Sequence, residues 1–330
     1  MTRTILVTGP TLADSAVSLA TRRDARVVMM KPYGTAEEIA EEAAKEQADA
    51  IIVRAGGRVA GPVYDRSGSV KIVVKHGVGV ETIDVAGASQ RKIPVMIAVG
   101  ANALSVAEQA LALMFAVAKS LPYLDRRIRD GHWDKTTSVC TELTGKSLGV
   151  VGLGNIGRTL ISLVQPLKMP VYGYDPQVGT DADIPGVKLV GSIDELVRHS
   201  DVLSLHAPLL PQTRHMIGRA QLAMMKPGSI VINTARGGLI DTEALIEALQ
   251  SGQLLGAGLD TFEEEPPPKD SPLWALPNVA LSPHVGANTD AAMVRVAELA
   301  VEQALDFLDG LPVDRRAVMN PDVLAADRLR

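Results

Sequence analysis

Short apolar runs alternate with amphipathic stretches along nearly the whole chain. In the first hundred residues ILVTG, VVMMK, IIVR, KIVVKHG and IPVMIA are β-branched runs of strand length. Between the second and third of them, TAEEIAEEAAKEQAD has the acidic, alanine-rich pattern of a helix with one exposed face. Strands separated by such helices predict a parallel α/β domain.

A second series begins near Asn102. SVAEQALALMFAVAKSLPYLDRRIRDG reads as one long helix, with Ser105 and Glu108 spaced for a capping box and Pro122 placed to bend or interrupt it. The strand KSLGVVGLG follows. After it come MPVYGYD, DVLSLH, SIVINTA, GAGLD and NVALSPH, with helices beginning near Ile156, Ile193, Arg219 and Thr242. The last amphipathic segment, about Asp290 to Leu308, is long enough to cross back to the first domain. The proline cluster at 266–268 suits a turn after a functional strand.

Composition narrows the class. An apolar fraction of 46% in 330 residues supports substantial cores, and 22% charged residues argues against a disordered chain. A net charge of −5, from 33 basic and 38 acidic side chains, gives no general attraction to nucleic acid or to a membrane surface. Cys140 is the only cysteine, which excludes an intrachain disulfide and a cysteine-rich metal site. The opening MTRTILVTGP reads as a strand and turn without the apolar core of a secretory signal. Charge, proline or glycine breaks every apolar run before membrane-spanning length. The expectation is a soluble cytoplasmic protein.

Chemistry concentrates after the Asn102 boundary. Gly152-Leu153-Gly154-Asn155-Ile156-Gly157 forms a GxGxxG turn directly after an apolar strand. Gly152 permits the tight turn, Gly154 lets backbone approach a pyrophosphate, Gly157 permits close helix packing, and the helix terminus offers amides to phosphate oxygens. A second strand ends at Asp175, 23 residues after Gly152, where a carboxylate can accept from an adenosine ribose and repel the extra phosphate of NADP. NAD is therefore the expected cofactor. The same residues also suit an ordinary glycine turn followed by a surface acid. His206-Ala207-Pro208 and Asn233-Thr234-Ala235 end later strands, on the edge where parallel sheets bind ligands.

Hydride exchange with an alcohol requires a proton partner, and an acid substrate requires a cation. Arg236 follows SIVINTA and is suited to a bidentate carboxylate contact. His284 follows NVALSP and titrates near neutrality as a residue type. Glu265, in the loop after GLDTFEE, is a carboxylate able to orient that ring. Singly, each is an ordinary surface or packed residue; together, at strand ends downstream of a cofactor turn, they define a catalytic candidate.

With these motifs in order, the chain resembles the D-isomer-specific 2-hydroxyacid dehydrogenase family. The resemblance is carried by KHGVGVETID from Lys75 to Asp84, NALSVAE from Asn102, VGLGNIG, TARGG from Thr234, GLD from Gly258, Glu265-Pro266, and SPHVG from Ser282. It implies Arg236 for orienting the oxoacid, His284 for acid/base catalysis and Glu265 for support of that histidine. It implies Gly152, Gly154, Asn155, Ile156 and Gly157 around the pyrophosphate and Asp175 at the ribose. His206, Ala207, Pro208, Thr213, Ala235 and Asp260 would line the rest of the cofactor path, with Asp260 at the nicotinamide carboxamide. Gly77, Val78 and Gly79 would form a first-domain loop facing substrate, Val78 also facing the cofactor.

The implied fold has two Rossmann-like domains. An NAD-binding domain at 102–289 is inserted into a substrate-binding domain made of 1–101 and 290–330. The same resemblance implies a cleft that closes around substrate and a homodimer formed through the nucleotide domains. Within the family CTELTGKSLGVVGLGNIG is nearest the phosphoglycerate dehydrogenase branch, and Arg54 and Arg58, after the strand IIV, are candidates for a distal anionic group. Where that branch often carries hydroxyl side chains, this loop has Ala55, Gly56 and Gly57. A reductase of glyoxylate, hydroxypyruvate or another 2-oxoacid would use the same catalytic residues. An NAD(H)-sensing corepressor or partner-binding protein is the reading of another class.

Overall fold

The computed structural model describes residues 2–54 and 56–330, so Ala55 lies outside it. The chain divides into two compact units, one of 1–102 with 289–330 and one of 103–288.

The first unit holds five parallel strands, β1 (Arg3–Val7), β2 (Ala25–Met29), β3 (Ala50–Val53), β4 (Ile72–Lys75) and β5 (Val95–Ile97), in the order β2-β1-β3-β4-β5. Successive side chains of β1 enter opposite cores, as strand geometry requires. Ile5 and Val7 pack with helix α1 (Asp14–Arg22), and Leu6 packs with α2 (Ala36–Lys45) and α3 (Gly61–Arg66). The acidic helix read from the sequence is α2. Thr35 caps it, accepting from the Glu38 amide at 3.3 Å while Glu38 accepts from the Thr35 amide at 3.0 Å. α4 (Val85–Gln90) completes that face.

The second unit opens with α5 (Ala103–Ala118) and α6 (Leu121–Arg129). These replace the single long helix expected, and their axes differ by 60°. Ser120 is left-handed at φ 49°, and Pro122 lies in the first turn of α6, where its missing N–H breaks no helix bond. The expected capping box fails as well. Ser105 lies inside α5, buried, and its hydroxyl donates to the Gly286 carbonyl at 2.6 Å. No single helix among the described residues is long and apolar enough to cross a membrane.

Seven parallel strands follow: β6 (Leu148–Val151), β7 (Val171–Tyr174), β8 (Val187–Leu189), β9 (Val202–Leu205), β10 (Ser229–Asn233), β11 (Leu254–Leu259) and β12 (Val279–Leu281). Their order is β12-β11-β10-β9-β6-β7-β8. The short edge strand β8, with Lys188 in its middle, carried no strand signal in the sequence. α5 and α7 (Asn155–Val164) cover one face. α8 (Ile193–His199), α9 (Arg219–Met224) and α10 (Thr242–Gln250) cover the other. Gly256 and Gly258 let α5 lie close on β11, since a Cβ at either would approach Val117 or Leu113 within 2.8 Å. α11 (Asp290–Leu308) returns to the first unit and packs on α1 and β4.

Candidate active site

The seven-stranded sheet reverses its winding between β6 and β9, which places a crevice at the carboxyl ends of those strands. Gly152 occupies it at φ 89°, and a Cβ there would fall 2.6 Å from the His206 carbonyl at the end of β9. Gly157 is equally constrained, its Cβ position lying 2.2 Å from the Gly152 carbonyl. Gly154 differs: no atom lies within 4 Å of its Cβ position. It is the N-cap of α7, and no side chain caps that helix, so first-turn amides remain for an anion.

The end of β7 contributes Asp175. Its Oδ2 accepts from the Leu153 amide and its Oδ1 from the Gln177 amide, both at 2.9 Å. The acid thereby fixes the glycine turn, with acceptor capacity left on both oxygens. Next along the edge, the His206 ring contacts the Ser204 hydroxyl through Nε2 at 2.8 Å, while its buried Nδ1 and the buried Thr234 hydroxyl have no partner among the described residues. Burial holds the His206 pKa down at about 4, so the ring is neutral at physiological pH. Thr213 turns its hydroxyl inward to the Pro208 carbonyl at 2.7 Å and receives the Leu210 amide, closing the loop that carries Ala207 and Pro208. An open face over Gly154, uncapped amides and unpartnered buried polar atoms along one strand edge fit a dinucleotide.

The three chemical candidates follow three adjacent strands. Arg236 comes after β10, Glu265 after β11 and His284 after β12. Buried Asn233 shapes the first loop, donating to the Arg236 carbonyl at 2.9 Å and accepting from the Ala235 amide at 3.1 Å. The Arg236 Nη1 donates to the Ala235 carbonyl at 2.7 Å. Gly237 then lets this loop meet the next one, because a Cβ there would lie 1.9 Å from the Phe262 carbonyl carbon. Glu265 accepts from the Phe262 amide through Oε1 at 3.0 Å and faces His284 Nδ1 through Oε2 at 2.7 Å. Both carboxylate oxygens are engaged, so the imidazole plane is fixed and Nε2 is the ring nitrogen left for chemistry.

Asp260 was expected beside the nicotinamide. It is 1% exposed, and its carboxylate receives the Ser282 hydroxyl at 2.6 Å and the Val285 and Gly286 amides at 3.0 and 2.8 Å. Its visible work is to hold the 282–286 loop, where His284 adopts a left-handed φ of 52°. Gln109 on α5 donates to the Ser282 hydroxyl at 2.8 Å. Gln109 carried no sequence signal, and Asn233 and Ser282 entered only as members of strand-end motifs, without the supporting roles these contacts assign them.

In the first unit the two arginine candidates separate. Arg54 donates from Nη1 to the Thr11 hydroxyl at 2.8 Å and to the Thr11 carbonyl, and partial burial draws its pKa below the ordinary guanidinium value. Arg58 is exposed. The loop of half-buried Gly77, Val78 and Gly79 follows the neighbouring strand β4, with Gly77 at φ 137°.

Comparison with known proteins adds identity to this geometry. Residues 111–286 match the family described as D-isomer specific 2-hydroxyacid dehydrogenase, NAD binding domain. The D-3-phosphoglycerate dehydrogenase of Methanocaldococcus jannaschii is 39% identical over 98% of this chain, which spans 63% of that protein. The hydroxypyruvate reductase of Thermotoga maritima is 40% identical over 78% of this chain and 84% of its own. The structure of a D-2-hydroxyisocaproate dehydrogenase is similar at a TM-score of 0.85 and 28% identity, with 96% of this chain and 99% of that one covered.

Proposed function

Because the chain belongs to the D-isomer-specific 2-hydroxyacid dehydrogenase family and carries its NAD-binding domain, we propose that it interconverts a 2-oxoacid and a D-2-hydroxyacid with NAD(H). The observation that carries this reading is the 2.7 Å contact between Glu265 and His284 on the strand end beside those of β10 and Arg236.

Gly152, Gly154, Asn155, Ile156 and Gly157 would hold the pyrophosphate, and Asp175 the adenosine ribose. Ala207, Pro208, Ala235 and Asp260 would line the path beyond, with the neutral His206 ring and Thr213 keeping its loop in shape. When bound, the nicotinamide supplies or accepts the hydride. Arg236 holds the substrate carboxylate through paired N–H donors, which orients the oxo carbon and stabilises charge at its oxygen. In reduction His284 gives a proton from Nε2 to that oxygen, and in oxidation it removes one. Glu265 accepts from Nδ1 throughout, so the ring neither rotates nor loses its polarity between the two directions.

For the acid, we assign phosphohydroxypyruvate and D-3-phosphoglycerate as the first pair, supported by 39% identity to relatives bearing that name. In the first unit, Gly77, Val78 and Gly79 are the proposed substrate loop and Arg58 the candidate for a distal phosphate; Arg54 serves more as a brace through Thr11. Hydroxypyruvate or glyoxylate reduction is the second reading, favoured by Gly56 and Gly57 between Arg54 and Arg58 and by the similarity to a hydroxypyruvate reductase. Retention of Arg236, Glu265 and His284 favours an enzyme over an NAD(H)-sensing corepressor. Leu121, Ile128, Trp133 and Val139 are exposed apolar side chains on and after α6, and they support the reading of a homodimer through the nucleotide domains. A sedimentation mass of one chain at micromolar concentration would remove that assignment. A cytoplasmic setting completes the proposal.

The test is NADH oxidation with matched phosphohydroxypyruvate, hydroxypyruvate, glyoxylate and pyruvate, repeated with NADPH. Highest kcat/KM with the phosphorylated acid is the expected result, and substitution of Arg58 should then raise KM for that acid alone. Preference for an unphosphorylated acid selects the reductase reading. Absence of turnover with every acid overturns the dehydrogenase.

A further inference from the structure

Three acids lie together at 263–265, and the structure gives them different neighbours. Glu265 faces His284, and Glu264 is exposed. Glu263 gathers donors from two other loops. Its Oε1 contacts His215 Nε2 at 2.6 Å and accepts from Arg214 Nη1 at 3.4 Å; its Oε2 accepts from the Thr242 hydroxyl at 3.0 Å. His215 belongs to the segment after β9 that begins with His206, Ala207 and Pro208. Its amide also donates to the Gly238 carbonyl at 2.8 Å, two residues beyond Arg236. Thr242 is the first residue of α10, at the end of the Arg236 loop.

The segment carrying Glu263 borders open space on one side. Between it and α10 lies a cavity of about 610 Å³, lined in part by Thr242, Glu243, Ile246, Phe262 and Pro268. Phe262 anchors one end of this stretch, packing against the buried core and edge-on to Trp274 at 5.8 Å between ring centroids, so beside the cavity the polar contacts of Glu263 carry the tie to the neighbouring loops.

We propose that Glu263 is a positioning residue that clasps the loops after β9, β10 and β11 together, and so sets where Arg236 and Glu265 stand relative to each other. The inference rests on the dehydrogenase reading above and deepens it. Glu263 touches neither substrate nor cofactor in this scheme; it acts through Gly237, Thr242 and His215. The clasp is partly exposed, with Glu263 and His215 side chains at 32% and 40% exposure. Exposed pairs contribute little to stability, so its effect falls on placement rather than on folding.

The experiment compares Glu263→Ala with Glu263→Gln, which keeps the side-chain length and an acceptor. In Glu263→Ala we expect kcat to fall about 10- to 100-fold and NADH affinity to change less than about twofold, the scale set by small misplacements of reacting groups. Tm should move by less than about 4 °C. Glu263→Gln should recover most of kcat. Amide exchange read by NMR gives a second measurement that needs no turnover. The His215 amide, bonded to Gly238, and the Phe262 amide, bonded to Glu265, should exchange roughly tenfold faster or more in Glu263→Ala and near the wild-type rate in Glu263→Gln. Unaccelerated exchange at both amides overturns the clasp, as does an alanine variant with wild-type kcat. Equal loss of kcat in both variants also overturns it, because charge and not geometry would then matter. A wild-type protein that reduces no 2-oxoacid defeats the dehydrogenase reading instead, and the exchange rates still decide whether Glu263 holds the loops.

Discussion

The two halves of the seven-stranded sheet end in sites built by different means. On the β6–β7 side the site is backbone: three glycines, an uncapped helix and one carboxylate that braces the turn. On the β10–β12 side it is side chain: Arg236, in a loop shaped locally by Asn233, and Glu265 and His284, which meet from two different strand ends. A backbone site is set once the fold forms, and backbone crowding leaves no room for a Cβ at Gly152 or Gly157. A side-chain site needs a second layer of supports such as Asn233 and Asp260, but it tolerates changes that leave the fold intact. The two halves should therefore fail differently when broken.

The largest effect is expected on the side-chain half. Removing the acid/base group should lower kcat by about 100- to 10,000-fold while NADH binding stays nearly constant. Asparagine is the appropriate replacement, because it tolerates the left-handed backbone that His284 adopts, and alanine would add strain. Stopped-flow measurement of the hydride step reads this directly, and an unchanged rate in His284→Asn removes the histidine from the chemistry.

A smaller effect, of another kind, is expected on the backbone half. In Gly157→Ala the new methyl meets the Gly152 carbonyl at 2.2 Å, and backbone cannot step aside as a side chain would. Overpacking of this sort costs about 1–3 kcal/mol, and the displaced turn should weaken NADH binding as well. Gly154→Ala is the contrast. Its methyl meets nothing in the protein, so thermal stability should equal that of wild type while NADH titration shows weaker binding. If both variants lose stability alike, the open face over Gly154 is not the phosphate approach.

The same difference explains what could be read from the sequence. The glycine turn and Asp175 are legible because every requirement is local: a strand, a turn needing positive φ, a helix start and a second strand end. The twelve strands among the described residues were mostly visible as β-branched runs; β8 was not, since three residues with a central lysine carry no period. Arg236, Glu265 and His284 were found as types at strand ends, and the resemblance to a family sharpened them. Their supports were not legible as supports: Asp260 was expected at the nicotinamide and Ser282 only as part of a motif, and with Gln109 they become neighbours only when α5 crosses β11 and β12. Ser105 is the instructive failure. Its spacing to Glu108 suited a cap, but a buried hydroxyl facing the Gly286 carbonyl had a tertiary partner instead.

The smallest effect is expected at Asp175, where the two kinds of site overlap. Its charge should repel the additional phosphate of NADPH, while its two oxygens also hold the Leu153 and Gln177 amides. Asp175→Asn removes the charge and keeps one acceptor, so preference for NADH over NADPH should relax by about tenfold, a free-energy change near 1.4 kcal/mol, with stability nearly unchanged. Asp175→Ala removes the brace too and should weaken both nucleotides as the turn loosens. Relative affinities measured by fluorescence titration separate the two roles. If the asparagine variant keeps the wild-type preference, discrimination lies elsewhere on that edge and Asp175 serves the turn alone.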